Sequence, residues 1–236
     1  MHPKGKLYLL PTPLGEGGLA VLPTYAIDII HTLSIFIAEK AKTGRHFIKD
    51  IAHPTPIQEL EFFELNKRTD PSEWGEYLKS AKEGKDIGLM SEAGCPGVAD
   101  PGAEIVKLAH QAGIEVVPLV GPSSILLALM GSGMSGQSFA FHGYLSPKKE
   151  LLPKDLKRLE GNARKFKQTQ IFIETPYRNG QMIAQAIQHL AAKTHFCIAM
   201  DLTLPDQYIV TKTIAEWKKT KLPEVHKRPA VFLIYP

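Results

Sequence analysis

The richest concentration of usable chemistry in the chain is a twelve-residue run, Ser91-Glu92-Ala93-Gly94-Cys95-Pro96-Gly97-Val98-Ala99-Asp100-Pro101-Gly102. Its glycines let a backbone approach a ligand closely and adopt positive φ, and its prolines lower the cost of ordering the loop. Asp100 can accept hydrogen bonds from a ligand or from the first turn of the helix that follows, and the sequence leaves both readings open. A second turn, Gly121-Pro122-Ser123-Ser124, opens onto an apolar helix. Its free N–H groups and hydroxyls can hold a polar ligand, or Ser123 and Ser124 can simply cap the helix. A third, Pro11-Thr12-Pro13-Leu14-Gly15, closes the first strand.

Each loop ends a short apolar run. Strands are predicted at Lys6–Leu10, Ser34–Ala38, Phe62–Leu65, Ile87–Met90, Ile114–Leu119, Phe139–His142, Gln170–Glu174, His195–Asp201, Tyr208–Thr211 and Ala230–Tyr235. Helical spacing falls between them: at Ala26 to Leu33, from the Asp70-Pro71 start to Gly84, at Ile105 to Gly113, and at Ser124–Met130. It returns in Leu151–Lys167, Arg178–Ala192 and Ala215–Lys219. Strands alternating with helices predict an α/β protein with mostly parallel sheets. The Gly/Ser/Met-rich stretch Gly131–Ser138 suggests a boundary, giving lobes 1–133 and 134–236. Ligands of such sheets sit in the loops after the strand C-termini, which are the loops named above.

Composition narrows the function. The chain has 236 residues, 44% hydrophobic and 22% charged, enough for a large core and too apolar for disorder. The apolar stretch Ile27–Ala38 is broken by Asp28 and His31, and Met1–Gly18 lacks the features of a signal peptide, so neither membrane span nor export is expected. Cys95 and Cys197 have no CxxC spacing, which points to a reducing, cytoplasmic compartment, and the nine histidines show no metal-ligand spacing, so no metal is expected. The GxGxxG, GxxxxGK[ST], HExxH, GxSxG and kinase signatures are all missing. Residues 1–146 carry 12 Lys/Arg against 16 Asp/Glu, and residues 147–236 carry 16 against 8. That asymmetry fits a polyanionic partner for the second half, or a solvated basic face.

Taken in order, these segments resemble the tetrapyrrole methylase superfamily, and within it the branch of 16S rRNA cytidine 2′-O-ribose methyltransferases. Leu7 to Gly15 is similar to that branch's opening strand and PTPxG turn. Ser91 to Gly102 is similar to its S-[DE]-A-G-x-P-x-x-x-D-P-G loop, and Val120 to Ser124 to its PGPSA turn. Phe172-Ile173-Glu174-Thr175-Pro176-Tyr177-Arg178 resembles its F-Y-E-S-P-H-R segment, and Asp201-Leu202-Thr203 its E-L-T. Two departures stand out. The branch's A-E-D-T-R reads Ala38-Glu39-Lys40-Ala41-Lys42-Thr43-Gly44-Arg45 here, and its PHR histidine is Tyr177.

The resemblance implies two α/β lobes with S-adenosylmethionine (SAM) in a cleft between them, usually in a homodimer. It assigns cofactor contacts to Pro11, Leu14, Ala93, Gly94, Cys95, Val98, Asp100, Ser123, Ser124, Glu174, Leu202, Pro229 and Ala230. The implied activity is methyl transfer to a ribose 2′-hydroxyl of RNA in the small ribosomal subunit. Two alternatives are methylation of a tetrapyrrole or other small molecule, and a non-catalytic SAM-binding relative. A ribose acceptor needs a base, and Glu39 and Glu92, at predicted strand ends, are the candidates, although each also reads as a solvated carboxylate. Arg178 can hold a phosphate or carboxylate bidentately, or lie on the surface at a helix start. The basic stretch from Pro147 to Gln170 fits a phosphate backbone held in a salt-dependent way.

Overall fold

The computed structural model describes residues 3–66 and 69–236. The chain divides into two compact units, 1–123 and 124–236. The first contains β1 (Lys6–Leu10), α1 (Thr24–Ile30), β2 (Ile35–Ala38), α2 (Ala41–Asp50), β3 (Glu61–Glu64), α3 (Trp74–Tyr77), α4 (Lys79–Lys82), β4 (Ile87–Met90), α5 (Gly102–Gln111) and β5 (Glu115–Pro118). The second contains α6 (Ser124–Ser132), β6 (Phe139–Tyr144), α7 (Leu152–Phe166), β7 (Thr169–Glu174), α8 (Asn179–His189), β8 (His195–Met200), β9 (Tyr208–Thr213), α9 (Ile214–Trp217) and β10 (Ala230–Tyr235). Among the described residues, no helix is long and apolar enough to cross a membrane.

The first sheet has the order β3-β2-β4-β1-β5, and every pairing in it is parallel. Its middle strands are buried on both faces, which is why they read as continuous apolar runs. Along β2, Ile35 and Ile37 pack into one core, while Phe36 and Ala38 pack into the other. The register pairs Leu10 with Met90, Leu9 with Pro118 and Ala38 with Met90. Parallel strands in that register release their following loops side by side at one edge.

The second sheet, β6-β7-β10-β8-β9, corrects the expectation of mostly parallel sheets. Only β6–β7 is parallel, while β10 runs antiparallel to both β7 and β8, and β8 to β9. The cause is non-local: the last strand of the chain inserts between two earlier ones. Phe232 of β10 stacks on Phe172 of β7 and Phe196 of β8, with ring centroids 5.6 and 5.8 Å apart. α6 belongs to this unit, where it packs on β8, β9 and β10.

Two helical readings change. The run from Asp70 to Gly84 is not one helix: Asp70 caps it by accepting from the Ser72 N–H at 2.9 Å, but it breaks at Leu78 into α3 and α4. α2 was not predicted at all, although Ala41, Gly44, Phe47 and Ile48 recur at helical spacing and are buried. Gly44 permits that burial. A Cβ there would lie 3.1 Å from the Ala38 Cβ and 3.2 Å from the Met90 Sδ.

A buried carboxylate ties α7 to the turn before β8. Glu160 accepts from the Thr194 hydroxyl at 2.6 Å and the Ala191 N–H at 2.7 Å, and Lys157 lies 3.2 Å away. Burial opposes its ionisation, but these donors outweigh burial and hold its pKa below the usual carboxylate value. A depressed folded-state pKa stabilises above the unfolded value, and that stability is lost as pH falls through the folded value. Urea unfolding of Glu160→Gln should therefore show a deficit of about 1–3 kcal/mol at pH 7 that narrows as pH falls below the ordinary carboxylate value of 4.5. A deficit independent of pH would mean that the charge contributes nothing.

Candidate active site

The three loops leaving β1, β4 and β5 clasp one another. Thr12 donates its N–H to the Gly94 carbonyl at 3.0 Å, and Gly94 returns the bond at 3.1 Å. The Ser91 hydroxyl donates to the same Gly94 carbonyl at 3.0 Å. From the other side, the Cys95 Sγ approaches the Pro122 carbonyl at 3.4 Å, and burial raises its thiol pKa. Gly121 lies against Pro11 so closely that a Cβ on it would fall 2.0 Å from the proline's Cβ. Pro11, Gly94, Cys95 and Gly121, far apart in sequence, thus form one knot, with Leu14, Ala93 and Ser123 beside it in the chain.

Gly94 takes φ +76°, and a Cβ there would meet the Leu14 Cδ2 at 3.0 Å and the Pro122 carbonyl at 3.1 Å. The glycine is needed for the loops to close on each other, which is a different reason from the ligand approach that its position suggests in sequence. Asp100 resolves in the same direction. Its carboxylate accepts from the Gly97 N–H at 2.9 Å and the Gly102 N–H at 2.7 Å, shaping the loop and the entry to α5. Burial raises its pKa, and those two N–H groups oppose the rise. Val98, between them, is exposed.

Beside the knot lies a cavity of about 350 Å³, within the range of small-molecule sites. Leu14, Ala38, Phe47 and Met90 give it apolar walls, and Thr12, Ser91 and Glu92 are among its polar ones. Glu92 is fixed there by two donors on one oxygen, the Lys40 ammonium at 3.1 Å and the Thr43 hydroxyl at 3.3 Å. The Glu92 carboxylate in turn raises the Lys40 pKa. Both partners come from the segment that departs from the A-E-D-T-R pattern. The sequence reading missed them because it missed α2, whose start places them; the spacing of Ala41, Gly44 and Phe47 was the available signal. Glu39, at the end of β2, lines a separate small pocket with Asp100, Pro101 and Gly102.

In the second unit, the register pairs Ala230 with both Glu174 and Met200. Glu174, Asp201-Leu202 and Pro229-Ala230 therefore meet at one end of that sheet. The Glu174 side chain is 2% exposed; its Oε1 accepts from the Thr175 N–H at 2.7 Å, and its Oε2 lies 3.3 Å from an Arg178 Nη. Arg178 also points at the Ser146 carbonyl at 3.4 Å, so its guanidinium is engaged by its own unit. Arg228 pairs with Asp201, and the Asn179 amide donates to the Arg228 carbonyl at 2.6 Å, fixing the segment before β10. Ser124 is the first residue of α6. Tyr177 is exposed, edge-on to His226 at 5.8 Å.

Residues 6–218 match the family model described as Tetrapyrrole (Corrin/Porphyrin) Methylases. The "Ribosomal RNA small subunit methyltransferase I" of Bacillus subtilis (strain 168) is 34% identical over 212 residues, 90% of this chain and 68% of that protein. Among solved structures, the methyltransferase CobJ superposes with a TM-score of 0.63 at 18% identity, covering 98% of this chain and 94% of that one. The uroporphyrin-III C-methyltransferase from Thermus thermophilus, complexed with S-adenosyl homocysteine, gives 0.57 at 16% identity, covering 98% and 97%.

Proposed function

Because the chain belongs to the tetrapyrrole (corrin/porphyrin) methylase family, we propose that it is a SAM-dependent methyltransferase acting on a ribose 2′-hydroxyl of small-subunit ribosomal RNA. The observation that carries the reading is the Thr12–Gly94 clasp, which closes the chain's most distinctive loop beside a ligand-sized cavity. The name of its Bacillus relative supports the RNA acceptor. The residues present suit SAM, because apolar walls suit an adenosine and a methionine chain, while Glu92 and Glu16 offer carboxylates to a cationic ligand.

When bound, SAM supplies an electrophilic methyl group on a sulfonium. The protein's part is to align the acceptor with it, to keep water out and to take the hydroxyl proton. Leu14, Phe47 and Met90 exclude water from the cavity wall. Glu92, held by Lys40 and Thr43, is the proton acceptor we favour over Glu39, because Glu92 lines the larger cavity. Glu174, Leu202, Pro229 and Ala230 carry the cofactor contacts assigned to the second unit, and Arg178 orients Glu174 there. The protein works in the cytoplasm as a homodimer. Two free thiols fit the compartment, and exposed Leu126 and Met130, one turn apart on α6, fit a subunit contact.

The test is methyl transfer from radiolabelled SAM to purified small ribosomal subunits lacking the modification. Label is expected in a 2′-O-methylated nucleoside. Label on uroporphyrinogen with none on RNA would move the acceptor to a tetrapyrrole, and SAM binding without transfer to either would leave a non-catalytic relative.

A further inference from the structure

α7 carries one residue that its own fold does not explain. Gly161 sits in the interior of the helix, where glycine is less favourable than alanine. Its φ is not positive, and a Cβ added there would meet nothing within 4 Å. Packing within the chain therefore does not require the glycine.

Its neighbours define the face on which it lies. Leu152, Leu156, Leu159 and Ala163 bury one face of α7. Directly opposite, Lys154, Arg158, Gly161 and Lys165 follow at i, i+4, i+7 and i+11, all exposed, along about 16 Å of helix. On the flank, Glu160 takes Lys157 and Arg164; within the line, Arg158 is paired with Asp155 at 3.4 Å. Lys154 and Lys165 have no acidic partner within 4 Å among the described residues. Lys148 and Lys149, exposed beside an exposed Glu150, precede the helix, and exposed Phe166 ends it beneath Lys165.

We propose that this face of α7 is the docking surface for the RNA backbone, with Gly161 the gap that lets a sugar-phosphate chain lie directly on the helix between the Lys154/Arg158 and Lys165 cations. The proposal rests on the RNA reading above and adds where the RNA is held. A side chain at 161 would stand in the middle of the cationic line and push the phosphates away from both ends of it. Glycine removes that obstacle at the expense of helix stability, a trade that makes sense for a contacted face and not for a solvated one.

The experiment measures the affinity of the full-length protein for purified small ribosomal subunits over a range of KCl concentrations. Each lost phosphate contact should reduce the log–log salt slope by about 0.7–0.9. Lys154→Gln/Arg158→Gln/Lys165→Gln should lower the slope by about two and weaken binding at least tenfold near 100 mM salt, with SAM binding unchanged. A control of equal charge change in the first unit, Lys79→Gln/Lys82→Gln/Lys85→Gln, should leave the slope as it is. Gly161→Met should raise the thermal midpoint of the free protein and still weaken subunit binding several-fold. If wild type methylates subunits but the α7 variants bind as wild type does, or both triple variants lose equally, the surface assignment is wrong and the RNA reading stands. If wild type neither binds nor methylates subunits, the RNA reading itself is wrong.

Discussion

Gly94→Val is expected to weaken SAM binding at least a hundredfold while leaving both sheets folded. The residue sits at φ +76°, a region that β-branched side chains avoid at a cost on the order of 1–3 kcal/mol. Its first side-chain carbon would already lie 3.0 Å from Leu14 and 3.1 Å from the Pro122 carbonyl, and valine adds two methyl groups beyond it. The loop cannot relieve this by moving alone. Its N–H and C=O are both bound to Thr12, so relief breaks the clasp and displaces the β1 loop with it. The loops after β1 and β4, which both line the cavity, would shift together, which is why a large binding loss is expected from a change that touches no strand core. Calorimetry with SAM, beside far-UV circular dichroism of the same sample, gives the answer. A folded variant that binds SAM as wild type does would place the cofactor away from these loops.

That prediction also shows what could be read in the sequence and why. The strands β2 and β4 were legible because burial on both faces leaves unbroken apolar runs, and the loops because glycine and proline punctuate them. The direction of the argument at Gly94 was legible, but its cause was not: the atoms that forbid a side chain belong to Leu14 and Pro122, and only the folded register puts them there. Asp100 carried two readings in the sequence, and the Gly97 and Gly102 N–H groups show that its carboxylate serves the loop. Strand order in the second sheet could not be read locally, since nothing in Ala230–Tyr235 announces that it pairs with both β7 and β8. α2 was a different failure. Its apolar spacing was present, but a glycine and a threonine in its first turns masked it, and with it went the partners of Glu92.

Those partners set up the second large effect. Glu92→Gln is expected to lower kcat by about 10²–10⁴-fold, the usual contribution of a positioned general base, with SAM affinity little changed. Glutamine has nearly the same size and can still accept from Lys40 and Thr43 through its carbonyl, so the wall of the cavity should survive. What it cannot do is take a proton from a hydroxyl. The informative comparison is Glu39→Gln. Glu39 directly follows β2 and lines the small pocket with Pro101 and Gly102, while Glu92 lines the 350 Å³ cavity with Thr12, Ser91 and Phe47. If Glu92 is the base, single-turnover methyl transfer collapses for its variant and stays within about tenfold of wild type for Glu39→Gln, since a positioned base accounts for more than that. The reverse pattern would move the proton acceptor to Glu39 and leave the Lys40–Glu92–Thr43 cluster as a brace between α2 and the β4 loop. Equal, small losses would mean that neither carboxylate takes the proton, and that alignment of the two substrates carries the rate.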